Sequence, residues 1–339
     1  MGPLKKNRTV PVVLMEELLR FLKENHAEYL SGEDIAQRMN VSRTAVWNHV
    51  QELRLLGYEI EAVPHRGYRL AGFPERLLPD EISDGLTTQR FGQRIAVYEK
   101  VASTNDTAAQ AAQAGAVEGM AVFAETQTKG RGRLGRPWHA AADKGLLFSV
   151  VLRPTLPMAS APKITLAAAV GVAKAVRAMT EVPVQIKWPN DLFLEGKKFC
   201  GILTEIETDL ESIRHAVLGV GINVNMLKVD FPPELRDRAT SLASFLGHTV
   251  NRNLLARSAL EHLETCYDAL LAGDFQGILR DWSAMAITTG RWVEVVTQRS
   301  GGKRVEGMAQ GVDENGCLII RRENGMTEHV VSGDVVLKD

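Results

Sequence analysis

Gly130-Arg131-Gly132-Arg133-Leu134-Gly135-Arg136-Pro137-Trp138 sets glycines among arginines directly after a strand expected over Met120 to Gln127. The reading of this stretch decides the fold of most of the chain. Gly130, Gly132 and Gly135 have the spacing G-x-G-x-x-G, which opens a dinucleotide-binding βαβ unit when an acidic residue follows to hold a ribose. The next strand ends Leu152-Arg153-Pro154, so that acid is missing. The strands after it, Val184 to Lys187, Leu192 to Phe199 around Glu195-Gly196, Gly201 to Glu207 and His215 to Val224, follow in close succession and predict a mixed, largely antiparallel sheet. The loop then has two readings. Glycines let backbone N–H groups approach an anion and guanidinium forks pair with its oxygens, or the stretch is a solvated basic turn.

Working outward toward the N-terminus, strands near Ile95 to Val101 and Met120 to Gln127 flank a helix from Asn105 to Gly115. Before them, residues 1–72 carry Leu14, Leu18 and Phe21/Leu22 at helical spacing and a capping box at Ser31-Gly32-Glu33-Asp34. A second cap at Ser42 opens a helix whose apolar stripe is Val46, Val50 and Leu53. Its other side holds Arg43, Thr44, Trp47, Asn48 and Gln51. Two alternating strands, Tyr58 to Val63 and Tyr68 to Leu70, surround Pro64-His65-Arg66-Gly67. The order is that of a winged helix-turn-helix. Arg43 suits phosphate or guanine, Asn48 and Gln51 suit an adenine edge, and Arg66 on the wing suits the backbone, so Ser42, Arg43, Thr44, Trp47, Asn48, Gln51 and Arg66 are the DNA-binding candidates. Exposed Trp47 equally suits a protein interface.

Toward the C-terminus, helices are expected at Lys163 to Met179, Arg252 to Leu271 and Phe275 to Trp282. Short strands at Arg291 to Thr297, Lys303 to Val312, Cys317 to Arg321 and Glu328 to Ser332 then suggest a small barrel. Two prolines within residues 73–82 mark a linker, which divides the chain into 1–72, 83–286 and 287–339. A length of 339 residues accommodates several domains. With 45% apolar and 24% charged residues the chain reads as a folded cytoplasmic protein, and a net charge of −1 argues against one that merely coats nucleic acid. Cys200, Cys266 and Cys317 lack metal-site spacing and read as reduced packing residues. Lys174 and Arg177 interrupt the apolar stretch Ile164 to Met179, so neither a membrane span nor a signal peptide is expected.

Four shorter signals remain. Ser103-Thr104-Asn105 lies between strand and helix, as an N-cap does, although the same position aims donors at a ligand. Lys187-Trp188-Pro189-Asn190-Asp191 reads alone as a turn. Lys198 is either a solvent-facing strand lysine or an inward one that needs an anion. Gly219-Val220-Gly221-Ile222-Asn223 permits a close approach or a tight bulge.

Together with Gln127, the arginine-glycine loop, Trp138 and Gly201, these segments stand in the order found in biotin-protein ligases of the repressor type. The chain resembles that family over nearly its full length. The resemblance implies an α+β multidomain protein with a winged helix-turn-helix, a class II aminoacyl-tRNA synthetase-like mixed-sheet ligase domain and an SH3-like small β-barrel. It implies that biotin is held by Ser103, Thr104, Asn105, Gln127, Arg131, Gly132, Arg133 and Lys198, with Arg131, Arg133 and Lys198 catalytic. The nucleotide falls to Arg133, Arg136, Lys198 and Asn223, and Asp191 becomes a candidate metal ligand or general base. An adenylate-covering loop is expected near Met226 to Leu242, with Phe231 either over the adenine or packed in the loop. Biotin and ATP with Mg2+ are the implied substrates, and biotin carboxyl carrier protein, operator DNA of biotin synthesis genes and a second copy of the chain, joined when biotinoyl-5'-AMP is bound, are the implied partners. A lipoate-type ligase and a ligand-sensing transcription factor without catalysis are the competing functions.

Overall fold

The computed structural model describes residues 10–25, 28–209, 212–297 and 304–338. The chain forms two compact units, Met1–Arg76 and Leu77–Asp339. The first contains α1 (Val10–Glu24), α2 (Gly32–Arg38), α3 (Arg43–Leu55) and the antiparallel pair β1 (Glu59–Val63) and β2 (Gly67–Gly72). Ser31 and Ser42 cap α2 and α3, each hydroxyl accepting one backbone N–H at 3.2 Å. The Ser31 bond comes from Glu33, one residue before the Asp34 position that a capping box uses. Val46, Val50 and Leu53 are fully buried, and this turns Arg43, Thr44, Trp47 and Asn48 outward. Leu30 and Tyr68 exchange two backbone hydrogen bonds of 2.8 Å, which adds a third chain segment to the hairpin. Gly67 permits that approach: its φ is +103°, and a Cβ there would lie 1.9 Å from the Leu30 carbonyl oxygen.

The second unit begins with α4 (Pro79–Ser83), β3 (Ile95–Val101), α5 (Thr104–Gln113), β4 (Ala121–Gln127), β5 (Gly145–Leu152) and α6 (Ala161–Thr180). It continues with β6 (Gln185–Lys187), β7 (Asp191–Leu194), β8 (Lys197–Asp209), β9 (Ser212–Asn223), α7 (Leu242–Leu246), α8 (Arg252–Leu271) and α9 (Phe275–Met285). The strands form one sheet in the order β3-β4-β5-β9-β8-β7-β6, in which β3 and β4 run parallel and the other neighbours antiparallel. This is the mixed sheet expected, with no dinucleotide fold. The segments read as two strands on either side of Cys200 are one, β8.

One face of the sheet packs against α6 and α8, and α5 covers the other with Ala108 and Ala112 over Val122, Val151 and Val217. The segment Met158–Thr180 has the length and apolarity of a membrane-crossing helix, yet most of it is buried in this core. Gly171 lets α6 and α8 meet closely, since a Cβ there would stand 3.0 Å from the His262 carbonyl oxygen. Leu77 and Ile82, in the stretch expected to be a linker, are 1% and 0% exposed, and Leu78 donates its N–H to Asn253 at 2.9 Å.

The C-terminal strands β10 (Trp292–Thr297), β11 (Arg304–Val312), β12 (Leu318–Arg321), β13 (Thr327–Val330) and β14 (Gly333–Lys338) form an antiparallel sheet in the order β13-β12-β11-β10-β14. Strand β14 is absent from the sequence reading, because Ser332-Gly333-Asp334 resembles a turn. Its pairing with β10 brings residues 332–334 toward the central sheet. Cys200, Cys266 and Cys317 are free and buried, as expected of packing residues. Burial pushes the Cys266 thiol up to about 11 and the other two upward as well, so all three are inert near neutral pH.

Candidate active site

A cavity of about 190 Å³ lies where the start of α5, the arginine loop and the β7–β8 hairpin converge on β9. Three strand glycines make the room. A Cβ on Gly219 would stand 2.0 Å from Asn105 Oδ1, and Cβ atoms on Gly221 and Gly201 would stand 2.7 and 2.9 Å from the Trp138 ring. The β5–β9 register runs unbroken through Gly219 and Gly221, so the glycine pair marks a close approach and no bulge.

Asn105 is fixed in the vacated space. Ser149 Oγ donates to its Oδ1 at 2.6 Å, and its Nδ2 donates to Glu205 Oε2 at 2.7 Å. Thr104 donates both its N–H and its hydroxyl to Gln127 Oε1, at 2.6 and 3.0 Å. Ser103 is the N-cap residue of α5, as its position predicts, but its side chain makes no capping hydrogen bond. Its buried hydroxyl borders the cavity. Gly219→Ala is expected to destabilise the protein by about 1–3 kcal/mol through overpacking. Thermal unfolding measures it, and pairing the change with Asn105→Ala should recover most of the loss.

The arginine loop is closed by two backbone bonds, Gly132 N–H to Arg136 O at 2.8 Å and Trp138 N–H to Gly130 O at 2.9 Å. Its three arginines point to different partners. Arg131 donates through Nη2 to Asp106 at 2.7 Å and to both Glu205 oxygens at 2.9 Å. The hydrogen bonds it donates to Asp106 and Glu205 hold this guanidinium above its usual range. Arg133 donates to Asn190 Oδ1 at 3.4 Å, to Gly333 O at 3.2 Å and to Ser332 Oγ at 3.4 Å. Burial lowers its affinity for the proton. Arg136 pairs with Asp334 of β14. Lys198 Nζ lies 2.6 Å from Asp191 Oδ1 and 5.5 Å from the centre of the Trp138 ring. The solvent-facing reading of Lys198 is therefore replaced by the paired one.

The cavity lining thus unites Ser103, Thr104, Asn105, Gln127, Arg131, Gly132, Arg133, Arg136, Asp191 and Lys198. Asn223 is not brought to that lining. It is 3% exposed and donates to Thr240 O at 3.1 Å. Residues 238–240 run beside Lys198, whose N–H donates to Arg238 O while its carbonyl accepts from Thr240 N, both at 2.9 Å. Phe231 is 3% exposed, which is the packing reading of this residue and not a free ring over a ligand. Among the described residues no cluster of three or more His, Cys, Asp and Glu could hold a metal, so Asp191 has no ligand set around it. Ser149, Asp106, Glu205, Ser332 and Asp334 were missed. Each acts through a partner distant in sequence, and only the polar residues inside the apolar strands, Ser149 and Glu205, left any local sign.

In the first unit, Arg43, Thr44 and Trp47 of α3 face His65 and Arg66 of the hairpin across a groove. Trp47 is 52% exposed, Ser42 and Asn48 are exposed, and Gln51 is half-buried. Arg66 and Arg69 lie 4.4 and 4.8 Å from the centre of the Tyr29 ring, and Tyr29 donates its hydroxyl to Glu61 at 2.5 Å. This fixes the basic wing by cation–π contact.

Residues 97–223 match the biotin/lipoate A/B protein ligase family, residues 15–69 an HTH domain, and residues 290–338 the biotin protein ligase C terminal domain. The chain is 37% identical over 324 residues to the bifunctional ligase/repressor BirA of Bacillus subtilis (strain 168), covering 96% of this chain and 98% of that one. It is 34% identical to the biotin--[acetyl-CoA-carboxylase] ligase of Mycobacterium tuberculosis, over 77% of this chain and 97% of that one. Among solved structures, the biotin protein ligase from Aquifex aeolicus in complex with biotin and ATP superposes with a TM-score of 0.62 at 28% identity, covering 73% of this chain and 99% of that one. With a helix-turn-helix unit, a glycine-cleared cavity on a mixed sheet and a C-terminal sheet reaching that cavity, all in one order along the chain, the protein belongs to the family of bifunctional biotin-protein ligases and repressors.

Proposed function

We propose that the chain activates biotin with ATP and passes it to a lysine of a biotin carboxyl carrier protein, and that its first unit represses biotin synthesis genes on operator DNA. The observation that carries the ligase reading is the meeting of Lys198–Asp191, Arg133 and the uncapped start of α5 in one cavity. A biotin carboxylate oxygen attacks the α-phosphorus, the bond to the β-phosphate bridge breaks, and biotinoyl-5'-AMP and diphosphate result. Two anions must meet for this, and Arg133 and Lys198 supply positive charge. Backbone N–H groups of the arginine loop and the hydroxyls of Ser103 and Thr104 position biotin, while Trp138 helps exclude water from the labile mixed anhydride. The carrier lysine amine then attacks the acyl carbon and AMP leaves.

Magnesium enters with the ATP phosphates as part of the substrate. The cavity carboxylates Asp191 and Asp334 are already paired with Lys198 and Arg136, and they do not fit a protein-held ion. Arg136 and Lys198 are placed to meet the nucleotide, and Asn223 reaches it only if residues 238–240 shift. The test is diphosphate release on adding biotin and ATP, followed by labelled biotin transfer to a carrier domain. Release with lipoate and none with biotin would replace this reading by the lipoate one. Release without transfer to any carrier would leave the sensing function alone.

For the first unit, α3 enters the major groove with Arg43, Thr44, Asn48 and Gln51 toward the bases, and Ser42 and Arg66 meet the backbone. Biotinoyl-5'-AMP acts as corepressor by favouring a homodimer on a two-fold operator, in the cytoplasm. Residues 1–72 serve the DNA function and residues 83–286 with 287–339 the ligase function, the stretch from Leu77 packing with the ligase unit and not forming a free linker. Arg43→Ala with Asn48→Ala is expected to lower operator affinity by about 1–3 kcal/mol per lost base contact. A gel shift with and without biotin and ATP measures it, with two chains per shifted operator and biotin transfer kept at the parent rate. An unaltered shift would assign the exposed face of α3, with Trp47, to protein contact.

A further inference from the structure

The three arginines of the loop are not equivalent. Arg133 lines the cavity and donates its hydrogen bonds to neutral acceptors, the Asn190 and Gly333 carbonyl groups and the Ser332 hydroxyl, so no carboxylate grips it directly. Arg131 is gripped by two carboxylates, Asp106 and Glu205, and this trio carries a net charge of −1. A guanidinium so matched has little left to offer a third anion.

Glu205 is the centre of that arrangement. Its Oε1 accepts from Arg131 Nε at 3.2 Å and from Nη2 at 2.9 Å. Its Oε2 accepts from the same Nη2 at 2.9 Å and from Asn105 Nδ2 at 2.7 Å. One carboxylate on β8 thereby ties the arginine loop to the first turn of α5, where Asn105 fills the space above Gly219. Asp106, in the same helical turn, completes the tie.

Resting on the ligase reading, we infer that Glu205 is a positioning residue: it holds Arg131 as a strut, and the strut sets the glycine backbone of residues 130–132 over the biotin end of the cavity. Arg131 is then no ligand for the biotin carboxylate or for phosphate. Loosening the strut leaves the charges of Arg133 and Lys198 in place but misplaces the loop, so it weakens biotin binding more than it slows the chemical step.

The experiment compares Arg131→Met, Glu205→Gln and their double variant in the full chain, with Glu205→Asp as the conservative control. Each single change is expected to raise the KM for biotin on the order of tenfold, with kcat for diphosphate release changed much less. The double variant should be no worse than the poorer single one, since both changes break the same tie, and Glu205→Asp should keep part of the affinity. Tryptic cleavage after Arg133 reads the loop without any catalysis, and it should quicken in Glu205→Gln and in Arg131→Met.

The inference is overturned if the two losses multiply in the double variant, if Arg131→Met lowers kcat as much as it raises KM, or if Glu205→Gln leaves both KM and cleavage as in the parent. If the parent chain itself releases no diphosphate with biotin and ATP, the ligase reading fails instead. The cleavage comparison still decides the strut.

Discussion

Lys198→Ala is expected to lower diphosphate release from biotin and ATP by roughly 10²–10³-fold, the usual cost of removing one charged donor aimed at developing charge in a dry site. The size follows from the surroundings. Lys198 Nζ is 2.6 Å from Asp191 and lies above the Trp138 ring, in a cavity whose other cations are partly committed: Arg131 to two carboxylates and Arg136 to Asp334. Arg133, bonded to neutral acceptors, is the least committed cation left to oppose two incoming anions. The substitution does more than remove a positive charge, because it leaves Asp191 bare where the biotin carboxylate and the α-phosphate must meet. Asp191→Asn added to Lys198→Ala should therefore regain about tenfold, the worth of one moderately screened like-charge contact. Rates are read in single turnover with both substrates saturating, so that weak binding is not mistaken for slow chemistry. A Lys198→Ala rate within threefold of the parent would remove Lys198 from the chemistry, and a double variant slower than the single would give Asp191 a role of its own.

The same residues show what a sequence can carry and what it cannot. Ser31 and Ser42 were legible as caps because a cap is a contact within three residues, and the hydroxyls bond within that span. Ser103 has the same local signature and sits at the N-cap of α5, yet its side chain makes no capping bond and borders the cavity, which nothing local in the sequence distinguishes. Gly219 could be read as a site of close approach, yet the atom approaching it belongs to Asn105, more than a hundred residues earlier. Arg131 and Arg133 are indistinguishable by spacing. One meets Glu205, 74 positions away, and the other meets Gly333, 200 positions away, and that difference separates an arginine gripped by a carboxylate from one bonded to neutral acceptors. Strand β14 escaped notice because a glycine and an aspartate open it. Through that strand the C-terminal sheet joins the site. The apolar stripe of α3, by contrast, repeats over enough residues for the periodicity alone to decide it.

Arg252→Met is expected to destabilise the second unit by about 3–5 kcal/mol, the cost of stripping one partner from a buried ion pair. Arg252 and Glu125 are 1% and 5% exposed at the side chain and meet at 2.6 Å, where the start of α8 crosses β4. Arg252 Nη1 also donates to Gly145 O at 2.9 Å, and the other Glu125 oxygen accepts the Leu77 N–H at 2.5 Å. The pair thus joins four segments, β4, β5, α8 and the chain entering the unit. Methionine fills much of the arginine volume, so the loss reports the charge left on Glu125 more than a cavity. At roughly 2–4 °C per kcal/mol for a domain near this size, the thermal midpoint should fall by about 6–20 °C. Adding Glu125→Gln neutralises the stranded carboxylate while keeping an acceptor for Leu77, and it should return a large part of the loss. A single variant within 1 kcal/mol of the parent would mean that water reaches Glu125 and the pair is not a dry one. A double variant less stable than the single would mean that Glu125 is held chiefly by the Leu77 amide, and that its charge is what fastens the entering chain to β4.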